Sequence, residues 1–275
     1  AQAATALALT TDVQVGLGIM PAVARNAAFT ALEIATLARI APGRFLPGIG
    51  HGVGAWMKQI GAFPASQLGA IEDITTAVRA ILRGGSVTMS RSYAKMDAVQ
   101  LEYPLDIVPP VQLGVRGPKS LRLSGRVADG TILAEGCSPA YVRWAREQIA
   151  AGMKEANREE AHRVTVYLYW SMDADVSLAK ARIRERLAAN MASGIDVYLK
   201  PMGIVEQVAE MLEKGGEAYL REQMPDEWLH QMAAVGTVDK CVKTIRSLYE
   251  AGADSVVLVP MMSNEQALSG DAQAV

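Results

Sequence analysis

Cysteine is scarce in this chain, with two among 275 residues. Cys137 and Cys241 lie far apart with no CxxC spacing, which argues against a disulfide framework and a thiolate metal site and fits a reducing compartment. Histidine is also short: His51, His162 and His230 form no HxH or HxxxH pair, so a metal site is not expected. Positive charge is not in excess, since 27 Lys and Arg face 29 Asp and Glu for a net charge of −2. No field of that kind holds a nucleic-acid backbone or an anionic membrane. No stretch reaches the roughly 18 uncharged apolar residues of a spanning helix, and the Ala-rich start lacks the basic region of a signal peptide. A cytoplasmic protein is expected. The chain has neither a GxSxG elbow nor a GxxxxGK[ST] loop, which removes the simplest hydrolase and nucleotide-triphosphatase readings.

What is present describes a well-packed globular protein: half the residues are hydrophobic, a fifth are charged, and the mean hydropathy is +0.13. The length suits one large barrel or two smaller domains. Residues 1–10 read as the end of an Ala-rich helix, and 13–20 (VQVGLGIM) as a strand. A helix follows with Asn26 as N-cap and a Pro42-Gly43 stop, then a buried strand, FLPGIG. Strand, helix and strand in close succession form a βαβ unit and imply a parallel sheet. Residues 53–65 read as a loop, Ser66 to Leu82 as a helix, and the segment after Gly84-Gly85 as a hairpin or irregular insertion within 53–110. The rhythm then resumes. Parallel strands are expected at 13–20, 45–50, 111–115, 130–134, 164–171 and 255–261, with a helical excursion over 176–234. Alternating βα units fit either an open doubly wound sheet or a closed barrel, and periodicity does not separate them.

Three strands end in glycine-bearing turns: Gly16-Leu17-Gly18-Ile19, Gly48-Ile49-Gly50-His51-Gly52 and Gly114-Val115-Arg116-Gly117-Pro118. Glycine lets backbone approach a ligand or a neighbouring element closely. The last turn runs into a helix with Pro118 fit for its first position, and such an N-terminus attracts phosphate. Gly50-x-Gly52-x-x-Ala55 satisfies the relaxed dinucleotide fingerprint, but Glu72 lies inside a helix where that fold needs an acid ending a strand. His51 has the chemistry to hydrogen-bond a carbonyl or act as a general acid, or simply to order its own loop. Glu135 and Cys137 follow a strand end, Glu135 as a ligand contact or a solvated rim carboxylate, Cys137 as a lining residue without a base. Arg116 suits a bidentate phosphate contact or a surface ion pair. Trp56 and Met57, apolar in a segment that should be polar, suit a pocket lining together with Met20. His162 and His230, in polar helix-edge contexts, are expected at the surface.

Taken in order, QVGLGI, APGRFLPGIGHG and PPVQLGVRGPKSLRLSGRVADGTILAEG resemble the luciferase-like monooxygenase superfamily, from residue 1 to about 262. The likeness is nearest its coenzyme F420-dependent oxidoreductase branch, that of methylenetetrahydromethanopterin reductase-like proteins. The resemblance implies an α/β (β/α)₈ TIM barrel of bacterial-luciferase type over 1–275, with F420 at the C-terminal mouth. It implies a cis peptide at Gly18-Ile19 beneath the deazaflavin ring. It further implies a phosphate held by backbone of Gly114, Val115, Arg116 and Gly117, with Gly50 and Glu135 also at the cofactor. The implied activity is hydride transfer between F420 and a small organic substrate, in a homodimer. Some members carry a glutamate just after the GxGxG turn where this chain has Val53-Gly54-Ala55-Trp56, which leaves His51 as the catalytic proton donor. Two strands usual at the front of the family have no counterpart here, so a longer natural protein is expected. FMN-dependent monooxygenation and a non-catalytic barrel fragment or structural subunit are the alternative readings.

Overall fold

The structure is a computed structural model and describes residues 1–261. It contains two compact units, one formed by Ala1–Ile132 with Gln148–Arg163, the other by Leu133–Glu147 with the described residues from Val164 on.

The first unit runs through α1 (Gln2–Leu9), β1 (Val15–Pro21), α2 (Ala27–Ile40), β2 (Phe45–Gly50), α3 (Gly54–Gln59), α4 (Gln67–Leu82), the strands β3 (Val87–Ser90) and β4 (Lys95–Val99), β5 (Gln112–Gly114), α5 (Pro118–Val127) and β6 (Gly130–Leu133). Its main strands pair in parallel in the order β1, β2, β5, β6. The segment read as a hairpin or irregular insertion is an antiparallel pair of its own, β3 with β4. The helices start where the caps stand: Asn26 accepts the N–H of Ala28 at 2.8 Å, and the Ser66 hydroxyl accepts that of Gly69 at 3.1 Å. The buried face of α2 is built of Ala27, Ala31, Ala35 and Ala38 around Ile34, small residues that let it pack closely on α4. From α4, Ile71, Ile74 and Ile81 enter the core, each contributing about 1.5–3 kcal/mol by leaving water.

Helix α6 (Pro139–Glu155) starts in the second unit and ends in the first. There Gly152 and Gly125 of α5 face opposing backbone: a Cβ on Gly152 would lie 1.9 Å from the Arg122 carbonyl oxygen, and one on Gly125 2.2 Å from that of Ile149. The α5–α6 approach therefore admits no side chain at either position. A polar network closes the same end of the unit. Asp129 is ion-paired with Arg79, whose guanidinium also donates to the Val127 carbonyl at 2.6 Å, and Asp129 accepts the N–H of Val111 at 2.9 Å.

The second unit continues with β7 (Arg163–Ser171), α7 (Val176–Ala192), α8 (Asp196–Leu199) and a 3₁₀ turn, Lys200–Met202. It ends with α9 (Val205–Gln223), α10 (Asp226–Met232), β8 (Ala233–Val235), α11 (Val238–Glu250) and β9 (Ser255–Pro260). β7 pairs in parallel with β9 from Thr165↔Ser255 to Trp170↔Pro260, and with β8 over Tyr169–Ser171.

Three expectations are corrected. The parallel strands number seven among the described residues, because β8 follows α10 directly and has only three residues before Gly236 ends it. Residues 54–59 are helical, with Met57 buried on the inner side, so the apolar residues of this segment belong to a helix. His162 is buried, 7% exposed: its Nε2 lies 2.8 Å from the Thr131 hydroxyl, itself 2.7 Å from that of Ser124. The polar letters around His162 concealed its burial.

Candidate active site

In the first unit the carboxyl ends of β1, β2 and β5 bring three glycine turns together. The register of β1 against β2 breaks between Leu17 and Met20, and the Gly18–Ile19 peptide within that break is cis. The side chain of Ile19 then lies across the neighbouring strands. A Cβ on Gly50 or on Gly114 would come within 2.7 Å of it, and one on Gly48 would meet the Leu17 carbonyl oxygen at 2.3 Å. Three positions read as making room for a ligand thus make room first for Ile19 and its strand. The turn is tied down by the Ala22 N–H, which donates to the Gly50 carbonyl at 2.8 Å.

His51 follows β2 directly. Burial lowers its pKa below the ordinary histidine value of 6.5, the positive charge of Arg116 lowers it further, and a hydrogen bond with the Gln67 backbone opposes both. Its imidazole is accordingly neutral at physiological pH. It borders an open cavity of about 350 Å³ shared with Gln67, Leu68, Gly117, Pro118, Lys119 and Ser120. The far wall of this cavity is the start of α5, where Gly117 is the N-cap, Pro118 occupies the first turn and no side chain caps the helix. The N–H groups of Lys119 and Ser120 sit in the first turn, beyond reach of any carbonyl of their own helix. With Lys119 also lining the cavity, these groups have the chemistry to bind a phosphate.

The expected site residues fall into three groups. Gly18, Ile19, Gly50, Gly114, His51 and Gly117 line or floor the strand ends, and Arg116, largely exposed, acts on His51 through its charge. Val115 is buried and donates its N–H to the Ile132 carbonyl at 3.2 Å, so it secures the turn with a group that is no longer available to a phosphate. Met57 packs beside Gly52, close to Pro21, and Met20 is half-buried in β1, whereas Trp56 turns outward at 62% exposure. Glu135 belongs to the second unit, where its charge, after burial, raises the pKa values of Cys137, Tyr167 and Tyr169. Residue-level reading missed Gln67, Lys119 and Ser120. The last two stand in the quoted GPKS motif and carried a signal there, while Gln67 contributes backbone and carried none.

Comparison with known proteins gives the family and the fold. Residues 1–255 match the family described as luciferase-like monooxygenase. The chain is 30% identical over 260 residues to a 5,10-methylenetetrahydromethanopterin reductase of Methanolobus tindarius, covering 92% of this chain and 79% of that protein. It is 26% identical over 242 residues to an F420-dependent glucose-6-phosphate dehydrogenase of Nakamurella multipartita, covering 85% of this chain and 67% of the relative. Among solved structures, the coenzyme F420-dependent tetrahydromethanopterin reductase of Methanopyrus kandleri superposes with a TM-score of 0.75 at 25% identity, over 94% of this chain and 80% of its own. The fold class is α/β, that of the luciferase-like (β/α)₈ barrels.

Proposed function

The chain belongs to the luciferase-like monooxygenase family, and from that premise we propose that it is an F420-dependent oxidoreductase acting on a small organic substrate. The observation that carries this reading is the pairing of two features at one set of strand ends: the Ile19 bulge seated on glycines, and the uncapped start of α5 across the cavity from His51. The first gives a planar ring system an apolar platform, and the second gives a phosphate its donors. The donor set fits a phosphate-bearing deazaflavin. F420, when bound, supplies a ring carbon that accepts or returns a hydride.

The chain's own residues do the rest. The backbone of Gly117 and the first-turn N–H groups of Lys119 and Ser120 hold the phosphate, with Arg116 adding charge. Ile19, seated against Gly50 and Gly114, would bear the ring system, with Met20 and Met57 as apolar lining. His51, neutral and hydrogen-bonded with Gln67 through one ring nitrogen, has the other to take a proton from a substrate hydroxyl during oxidation and to return it during reduction. Glu135, in the second unit, adds its charge to the burial that raises the pKa values of Tyr167 and Tyr169. The protein works in the cytoplasm as a homodimer.

The test is a titration with F420 and with FMN, followed by tryptophan fluorescence and then by F420 absorbance in the presence of candidate alcohols and pterins. Tighter binding of F420 is expected. Tighter binding of FMN transfers the assignment to a flavin monooxygenase, and binding of neither removes the enzymatic reading in favour of a structural subunit.

A further inference from the structure

We propose that the second unit carries a separate phosphate-binding site, built by His230 of α10 and by Lys240 and Lys243 of α11. Positions 240, 243, 244 and 247 follow the i, i+3, i+4, i+7 spacing that places them on one flank of a helix. With His230 they wall a cavity of about 290 Å³, at the lower end of the range for small-ligand sites. Two lysines and a histidine therefore border one hollow.

The arrangement of charges around the hollow leaves these cations without a protein counterion. Of the two acids on α10, Asp226 is ion-paired with Lys180 and with Arg184 of α7, and Glu227 accepts a hydrogen bond from the Gln231 amide at 3.1 Å. Among the described residues Lys240 and Lys243 form no ion pair. Asp239 adjoins Lys240 in sequence, but adjacent helical residues point about 100° apart and do not face one another. The hydroxyls complete a fixed wall: Thr244 donates to the His230 carbonyl at 3.0 Å and Ser247 to the Thr244 carbonyl at 2.7 Å. Their protons are committed, so donors to a ligand are the two ammoniums and the imidazole. The start of α11 takes no part, because Thr237 caps it.

His230 reports on this site. Burial lowers its pKa, Lys240 and Lys180 lower it further, and Asp226 raises it. An anion seated beside Lys240 opposes that lysine's effect on the imidazole and adds a favourable partner, so binding and His230 protonation reinforce each other by linkage. Phosphate suits the set because it offers three or more acceptor oxygens to three separate donors, whereas a halide offers one centre.

The measurement is an NMR titration of the histidine ring protons of the full chain with inorganic phosphate, with the His230 signal assigned through His230→Gln. A saturable shift of that signal and a rise of its pKa in phosphate are expected, both absent in chloride at equal ionic strength. The double variant Lys240→Gln/Lys243→Gln, both exposed positions, should weaken binding by roughly tenfold or more as two charge-assisted contacts are lost. A phosphate monoester binding more tightly than orthophosphate assigns the site to an organic phosphate, and the reverse order to the free ion. Absence of saturation, an equal response to chloride, or unchanged binding by the double variant overturns the proposal.

Discussion

At the scale of single residues, the charge state of His51 decides what it can do. Its pKa is depressed by burial and by Arg116, so the charged form is the one disfavoured in the folded protein and the neutral base persists to lower pH than in a free histidine. Substrate oxidation should therefore be flat through neutrality and fall only as the pH drops below the ordinary histidine range. His51→Asn should cut turnover by about 10²-fold while changing F420 affinity little. A pH profile of kcat that still breaks at the wild-type position in the variant would sink the assignment. The unfolded chain binds this proton more readily than the folded one, so the same group makes stability decline on acidification across that window. Cys137 and Cys241 give a second test. Both are buried, with thiol pKa values raised by burial, Cys137 additionally by Glu135. Neither should react with a thiol reagent in the native protein, and both should react in denaturant. His51 was legible as a candidate because glycines and a strand end surround it in sequence. The protonation state was not, since it depends on Arg116 and on the Gln67 backbone.

At the scale of elements, the glycines show how far pattern reading reaches. The turns at Gly48, Gly50 and Gly114 signalled close approach, but the sequence does not say what approaches; the structure answers with Ile19 and the Leu17 carbonyl. Gly114→Val should displace Ile19 and reduce F420 binding more than it lowers the melting temperature. Gly152→Ala should do the opposite. It drives a methyl into the Arg122 carbonyl, at a cost of about 1–3 kcal/mol in stability for overpacking, and denaturant unfolding would detect it while cofactor affinity in the folded fraction stays unchanged. The long elements α2 and α4 were readable from their caps and periodic apolar faces. α3 and β8 were not. Six residues give too few turns for a helical period to emerge, and the three residues of β8, run on from α10 and ended by Gly236, are too few to show alternation. Tertiary packing of Met57 and pairing with β7 decide those two.

At the scale of the whole molecule, the two proposed sites fall in different units. The Ile19 platform, His51 and the start of α5 belong to the first unit, and the His230 cavity to the second. Composition and net charge argue against a nucleic-acid or metal partner but could not reveal this partition, because it depends on which helices and strands share a core. A ligand that binds only the native state stabilises it by about 2.7 kcal/mol at a hundred times its dissociation constant, and local openings near its contacts are suppressed most. Hydrogen exchange with saturating F420 should therefore slow chiefly over 15–21, 45–52 and 114–121, with weaker protection elsewhere. Saturating phosphate without cofactor should protect the segment from His230 to Ser247 by the separate site. Equal protection throughout the chain by F420 would mean that its effect is global stabilisation and that the strand-end contacts assigned here are not where the cofactor sits.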